Sequence, residues 1–403
     1  MRILLVHGRY RSSAPSGENN VVDQESAALV TAGHDVELFE RHSDDIGGWS
    51  LPRKVALPAR SLWNGETRRE LADRLERTRP DVVHVHNTFP LISPSVLYAC
   101  RDAGVPVVAT LHNYKLLCAS GDFFRDGKPC HDCADGHGAS AVLRGCYRGS
   151  RVATLPVVAS TALHRSAWQR LVSAYVFISA SQRDLMSHLD LPAERVFVKH
   201  NFVRPVPAAH RQPEHAVVYL GRLDAAKGAP FLMRSWDAFR SRNPESALRL
   251  VVAGGGPLAD EVSAWAASRP SVELLGLLPP EDVSRVLGRA LAVVVPSQWE
   301  ETFGLVAIEA MAAGVAPVAP ARGSFPELIR DGVDGALFAP ENPVALAHVL
   351  EQVDRDPSRF VEQGREGSET YQRMFHPTAN LEELLAIYRF AVSNPVGRAH
   401  VVS

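Results

Sequence analysis

Two carboxylates, Glu301 and Glu309, bracket the start of a segment of small and apolar residues, EETFGLVAIEAMAAGVAPVAP at 300–320. The pattern predicts a helix starting at Thr302–Gly304. At such a start the backbone N–H groups of Phe303, Gly304 and Leu305 have no acceptor one turn back, so the site favours an anion. Gly304 lets that anion approach the main chain. Glu301 lies at the mouth, and Glu309 leans back toward it, because helix side chains tilt toward the N-terminus. A carboxylate beside an anion must bind neutral donors, and one carboxylate accepts from two adjacent hydroxyls. The pattern reads as a phosphate flanked by two polyols, a nucleotide ribose on one side and a sugar on the other. Complementing the helix dipole would explain Glu301 but not Glu309, which sits among alanines and a methionine.

A second pair of groups suits the same anion. Arg222 follows Gly221 directly after an apolar run, and Lys227 opens a helix five residues later. A planar guanidinium fork and a compact ammonium together match a diphosphate. A solvated surface pair is the alternative for such a spacing.

The elements that must position these groups repeat along the chain. Apolar runs at 2–7, 36–39, 81–86, 105–110 and 171–179 alternate with helical patterns at 20–32, 64–79 and 93–103. The rhythm restarts with strands at 216–220, 248–253, 272–275 and 291–296 and helices at 227–240, 258–267 and 281–288. Such alternation predicts an α/β fold of two doubly wound, Rossmann-like domains with mainly parallel sheets facing an interdomain cleft. The length of 403 residues agrees with two domains. The first spans 1–200 on the acceptor side, with a cysteine-rich insert at 114–150. The second spans 201–378 and binds the nucleotide. A helix at 379–394 is placed as a segment that can cross back to the first domain, and 395–403 as a tail. The boundary falls in VRPVPAAHRQPE at 203–214. Ligands of such sheets sit off the C-terminal strand ends. That singles out His7, His86, His112, Ser179, Asn201, Gly221, Gly254–Pro257 and Ser297–Leu305.

Hydrophobic residues make up 46 % and charged residues 22 % of the chain, and the net charge is −2. This composition disfavours a nucleic-acid binder. No leader pattern and no apolar run of about 20 residues is present, so a cytoplasmic protein is expected. Four of the five cysteines, Cys118, Cys130, Cys133 and Cys146, fall in one segment as C-x11-C-x2-C-x12-C. That spacing fits a closed structural zinc site, with buried free thiols as the alternative. From Gly136 to Arg183 there are six arginines and no acidic residue. This reads as a helix with a solvated arginine face, with contact to an anionic lipid surface or an acidic acceptor as the alternative.

GR-x4-KG, AGGGPL and E-x7-E enclosing FG, taken together, resemble the family 4 retaining glycosyltransferases of the GT-B fold. The resemblance runs through nearly the whole chain, including GHDV at 33–36, DVVHVHN at 81–87, ATLHN at 109–113 and RGSFPELIRDGVDGALF at 322–338. It implies a hexosyl transfer from a UDP- or GDP-linked sugar to a hydroxyl of a glycan, a lipid-linked saccharide or a small natural product, with no catalytic cofactor. By this resemblance Arg222 and Lys227 hold the donor diphosphate, Glu309 the ribose, Glu301 the transferred sugar, and the backbone of Phe303, Gly304 and Leu305 a phosphate. Gly221, Gly254, Gly256, Pro257 and Leu275 line the nucleotide pocket, Gly17 lies near the phosphates, and His112 lies near the donor sugar. The four-cysteine segment resembles the trait of a subgroup. Two departures concern how substrate is gripped: Ser16-Gly17-Glu18 and Arg322-Gly323-Ser324 each hold one glycine where relatives often show two. A non-catalytic sugar- or nucleotide-binding protein is a second reading. A nicotinamide oxidoreductase is a weaker third, because HGRYRSSAPSG lacks G-x-G-x-x-G.

Overall fold

Alternation along RILLVHGR sorts the first strand's side chains onto two faces. Leu4 and Val6 enter one buried cluster, with Leu71, Val96, Leu97 and Trp168 from the helices Gly65–Thr78, Ser95–Ala103 and Arg151–Leu171. Ile3 and Leu5 enter another, with Leu384, Ile387, Tyr388 and Ala391 of the last helix, Pro377–Ser393. The strand is therefore buried on both faces, which explains why it reads as a continuous apolar run.

The computed structural model describes residues 1–12, 16–136, 138–205 and 213–396. The chain divides into two compact units. One comprises Met1–Phe123, Cys130–His200 and the residues from Asn380 on; the other comprises Phe124–Pro129 and Asn201–Ala379. The strands are β1 (Arg2–Arg9), β2 (Asp35–His42), β3 (Val82–Asn87), β4 (Val107–Leu111), a short antiparallel pair β5 (Phe124–Arg125) and β6 (Lys128–Pro129), β7 (Ala174–Phe177), β8 (Val196–Val198), β9 (Ala216–Leu220), β10 (Arg249–Ala253), β11 (Val272–Gly276), β12 (Ala292–Val294), β13 (Ala316–Pro320) and β14 (Ala336–Phe338). Within the first unit a six-stranded sheet runs β2-β1-β3-β4-β7-β8, and within the second another runs β11-β10-β9-β12-β13-β14. All pairings in both are parallel.

The second sheet's core is Val217, Tyr219, Leu250, Val252, Val294 and Val318, covered by Phe231, Trp236 and Phe239 of the helix Ala229–Arg242 and by Leu346, Leu350 and Val353 of the helix Pro343–Arg355. Its strand order reverses between β9 and β12, and that of the first sheet between β1 and β3. At such switch points neighbouring loops splay apart and leave a crevice. The loops carrying Gly221–Lys227 and Ser297–Gly304 flank the switch point of the second sheet. The inter-domain stretch at 203–214 lies at 206–212 outside the described residues, as does the tail from 397 on.

Candidate functional site

The loops after β9 and β12 are drawn together by short side chains. Asp224 accepts from Arg222 Nε at 2.5 Å and from the Lys227 backbone N–H at 2.7 Å. The Gln298 backbone N–H donates to the Ala226 carbonyl at 2.8 Å, which ties one loop to the other. Gly228 starts the helix Ala229–Arg242 at φ +81°, and a Cβ placed there would stand 1.9 Å from the Pro296 carbonyl oxygen. Only glycine combines that dihedral with that approach.

The resulting cavity, of about 40 Å³, is lined by Gly221, Lys227, Ser297, Glu301 and Gly304 among others. Lys227 Nζ lies 2.9 and 3.0 Å from the two Glu301 oxygens. Ser297 Oγ and Trp299 Nε1 donate to Glu301 Oε2 at 2.9 and 2.8 Å, and the Trp299 ring lies 5.0 Å from the ammonium. The carboxylate is buried and well supplied with donors, with the lysine held at the cavity. Gly304, at φ +82°, precedes the helix Leu305–Ala312, and no side chain caps that helix. A Cβ on Gly304 would meet Phe325 Cε1 at 2.5 Å, so bulk is excluded at the helix mouth. Phe303 is buried beside Phe375, with ring centroids 6.1 Å apart. The Arg322–Ser324 loop closes on the same place, where Ser324 N–H donates to the Glu301 carbonyl at 3.1 Å.

Other expected residues stand at varied distances from this cavity. The Arg222 side chain is 59 % exposed and is engaged by Asp224 outside the cavity lining. The turn Gly254–Pro257 is laced to the loop after β9, with Leu223 N–H donating to Gly255 O at 2.9 Å and Leu258 N–H to Leu223 O at 3.0 Å. Leu275 is half-buried in β11. Glu309 is half-buried within its helix, and burial pushes its carboxyl up to about 7. Sequence reasoning missed Asp224, and it gave no role to Ser297 and Trp299 within the stretch Ser297–Leu305 that it singled out. A signal existed for Asp224, an acid between an Arg and a Lys in GRLDAAKG.

In the first unit, His112 follows β4 and borders a cavity of about 80 Å³ with Asn87, Thr110, Asn113, Lys115 and Trp168. Gly17 opens the helix Gly17–Thr31, whose N-cap Ser16 accepts from Asn19 N–H at 3.4 Å. Glu18, next in sequence, takes a hydrogen bond from Asn113 Nδ2 at 3.2 Å, and burial pushes its carboxyl up to about 7 against the pull of Lys115. Of the four clustered cysteines, Cys118 and Cys133 share a hydrogen bond, and Cys130 and Cys146 lie within electrostatic reach of Cys133. The closed four-sulfur cage read from the spacing is not formed. Among the described residues, the one group of three or more ligand-bearing side chains whose atoms lie within 4.8 Å is Glu25, His84 and His86. The cysteine loops are pinned instead by backbone bonds, Cys130 N–H to Phe123 O at 2.7 Å and Cys146 N–H to Ala141 O at 3.0 Å.

Comparison with known proteins follows the same division. Residues 15–206 match the sequence model of "Glycosyltransferase Family 4", and 205–369 that of "Glycosyl transferases group 1". A D-inositol 3-phosphate glycosyltransferase of Catenulispora acidiphila is 29 % identical over 79 % of this chain and 74 % of its own. One from Corynebacterium aurimucosum is 30 % identical over 54 % of this chain and 56 % of its own. The crystal structure of Anabaena Alr3699/HepE in complex with UDP-glucose superposes with a TM-score of 0.65 at 18 % identity, covering 96 % of this chain and 99 % of that one. At that identity the likeness establishes the fold.

Proposed function

Because the chain belongs to the family 4 glycosyltransferases, a GT-B family whose members act on nucleotide sugars, we propose that it moves a hexosyl-type group from a UDP- or GDP-linked sugar to a hydroxyl acceptor, with retention of configuration and without a catalytic metal. The observation that carries this reading is the convergence of Gly221, Lys227, Glu301 and Gly304 on one cavity at the switch point of the second sheet. When the sugar–phosphate bond breaks, negative charge accumulates on the departing diphosphate. An ammonium, a guanidinium and uncapped helix N–H groups meet that charge more strongly than they meet the ground state. In this assignment Lys227 and Arg222 hold the diphosphate, Phe303–Leu305 cap a phosphate, Glu301 orients the sugar, and Glu309 takes the ribose hydroxyls. Gly254, Gly256, Pro257 and Leu275 line the base pocket, with Gly17 near the phosphates and His112 near the donor sugar. The acceptor is a sugar, cyclitol or small-molecule hydroxyl, free or lipid-linked. Calorimetry with a panel of nucleotide sugars, followed by release of nucleotide with and without EDTA, tests the reading. Binding of one donor and EDTA-resistant turnover are expected; no binding of any of them refutes it. A binding protein without catalysis would bind the donor and release nothing.

The Glu309 assignment has a pH consequence. Only the carboxylate accepts two hydroxyls, and burial leaves the group half protonated near pH 7. Donor affinity should therefore rise between pH 6 and 8, by up to about tenfold per unit below the pKa. Glu309→Gln should bind the donor more weakly and with a flat profile. The sign for stability is opposite. Folding raises this pKa above its unfolded value, so the site's contribution is full below about pH 4.5 and is lost as pH rises through about 7. Thermal melts of the parent and Glu309→Gln across that range check it.

One further feature belongs to the same proposal. For a lipid-linked acceptor, the helix Arg151–Leu171 offers a peripheral contact to an anionic membrane surface. Val152, Leu155 and Leu163 are 84, 57 and 69 % exposed on one stripe beside Arg148 and Arg151. No helix among the described residues is long and apolar enough to cross a membrane. Sedimentation with phosphatidylglycerol vesicles, lost in Val152→Ser/Leu155→Ser, tests the contact.

A further inference from the structure

In the run V-H-V-H of β3, period-two geometry puts both imidazoles on one face. His84 and His86 are buried there, and four other segments bring polar groups to them. Glu25, on the helix Gly17–Thr31, places Oε1 3.1 Å from His84 Nδ1 and 3.4 Å from His86 Nε2. Lys199, just after β8, places Nζ 3.7 Å from Glu25 Oε2 and 2.6 Å from Asn380 Oδ1. Tyr388 of the last helix lies 2.7 Å from His84 Nδ1, and Thr110 Oγ1 lies 2.7 Å from His84 Nε2. His112 Nε2 lies 2.9 Å from His86 Nδ1, with the two rings nearly parallel at 20°.

Glu25, His84 and His86 have the donor set of a metal site. Their surroundings oppose that use: a buried ammonium stands beside the carboxylate, and a tyrosine hydroxyl and a threonine hydroxyl already engage both nitrogens of His84. The cluster is enclosed by protein groups and forms a chain that runs from the Glu25 carboxylate, at ion-pair distance from His86 Nε2, through the His86–His112 hydrogen bond.

The direction of that chain follows from its first member. Burial pushes Glu25's carboxyl up, but its contacts with His84, and then with His86, outweigh it and hold the group well below the usual carboxylate range. Burial likewise brings His86 down to about 4 and His112 well below its ordinary value, so both rings are neutral at pH 7. An ionised carboxylate only accepts. Its charge, 3.4 Å from His86 Nε2, favours that ring's proton on Nε2 and leaves a lone pair on Nδ1. That lone pair needs a donor, which fixes the proton of His112 on Nε2. His112 Nδ1 is left as a lone pair, and it is buried with no partner among the described residues. His112 borders the cavity shared with Asn113 and Lys115.

We propose that Glu25 and His86 are positioning residues that lock His112 in its Nε2–H tautomer, so that Nδ1 is a fixed acceptor for a hydroxyl of the sugar substrate. The ligand in this statement rests on the glycosyltransferase reading; the lock does not. A ring free to choose its tautomer would present a donor part of the time and would lose that selectivity.

Two-bond ¹H–¹⁵N spectra of the intact chain labelled on histidine read the tautomers without substrate. His112 is assigned by the signal lost in His112→Gln. His86 and His112 are expected as Nε2–H forms at pH 7, with His112 Nδ1 shifting on addition of the donor sugar that binds. In Glu25→Gln the amide can donate to His86 Nε2, so the chain should invert or average. kcat/KM should then fall about 10–100-fold, with Glu25→Asp restoring the parent spectrum and much of the rate. An Nδ1–H His112 in the parent overturns the inference whatever the activity, and this needs no variant to fold. One divalent ion per chain bound by Glu25, His84 and His86 overturns it as well. An Nε2–H His112 in a chain that binds no nucleotide sugar keeps the lock and overturns its ligand together with the functional reading.

Discussion

A Lys227→Ala chain is expected to release nucleotide from a sugar donor roughly 10²–10³-fold more slowly than the parent, the cost of removing one preorganised electrostatic group from a reacting centre. The ammonium is the compact positive charge among the residues lining the cavity after β9 and β12, and Glu301 fixes it from two oxygens at 2.9 and 3.0 Å. Its loss leaves Glu301 with Ser297 and Trp299 as donors, so the fold of the loop should survive. The deficit should therefore appear in kcat rather than in melting temperature. Lys227→Arg keeps the charge, but its planar fork is larger than the cavity of about 40 Å³ accommodates, and an intermediate rate is expected. Unchanged turnover of Lys227→Ala with a bound donor would remove the cavity from the reaction.

The largest loss of stability is expected from Gly228→Ala. An added methyl would lie 1.9 Å from the Pro296 carbonyl oxygen and 2.7 Å from its carbon, both main-chain atoms that no rotamer change can move. The φ of +81° adds strain of its own. Left-handed strain and overpacking together cost roughly 2–6 kcal/mol, a fall of about 10 °C in the melting temperature of a unit this size. The loop from Pro296 to Glu301 must shift to relieve the clash, so donor binding should weaken in whatever protein remains folded. Circular dichroism melts and calorimetry at a permissive temperature measure the two effects, and parent-like values in both would refute the close approach.

Much of the frame around these residues was legible in the sequence. The strands announced themselves as apolar runs because both their faces are buried, and the glycines after β9 and β10 marked the loops that matter. The helix start at Gly304 was readable because a glycine between Phe303 and Leu305 breaks an otherwise helical pattern. What stayed illegible depends on partners far apart in the chain. Glu301 was read as a carboxylate for sugar hydroxyls, and no local pattern showed that it also holds Lys227, 74 residues away. The Glu25–His84–His86–Lys199 cluster, with its partners Tyr388, Thr110 and His112, draws on two helices and three strands or their ends, and no local pattern shows that an acid in the first helix faces β3. The alternation V-H-V-H was the one available hint, since histidine at every second position of a buried strand requires polar company inside the core. The cysteine spacing pointed to a cage, yet spacing sets only how far thiols can reach and not whether loops pinned by their own backbone bonds converge. The strands Val196–Val198 and Ala336–Phe338 are three residues each, too short to show a period.

The last helix, Pro377–Ser393, has a practical consequence for anyone recombining members of this family. Leu384, Ile387, Tyr388 and Ala391 cover the face of the first sheet that Ile3, Leu5, Val108 and Val176 present, and Tyr388 also satisfies His84. A gene cut once near codon 200 therefore yields two incomplete products: a head with a naked greasy sheet and a stray imidazole, and a body trailing an orphan amphiphile. Chimeras should instead exchange the middle of the gene as a cassette and keep both ends from the same parent.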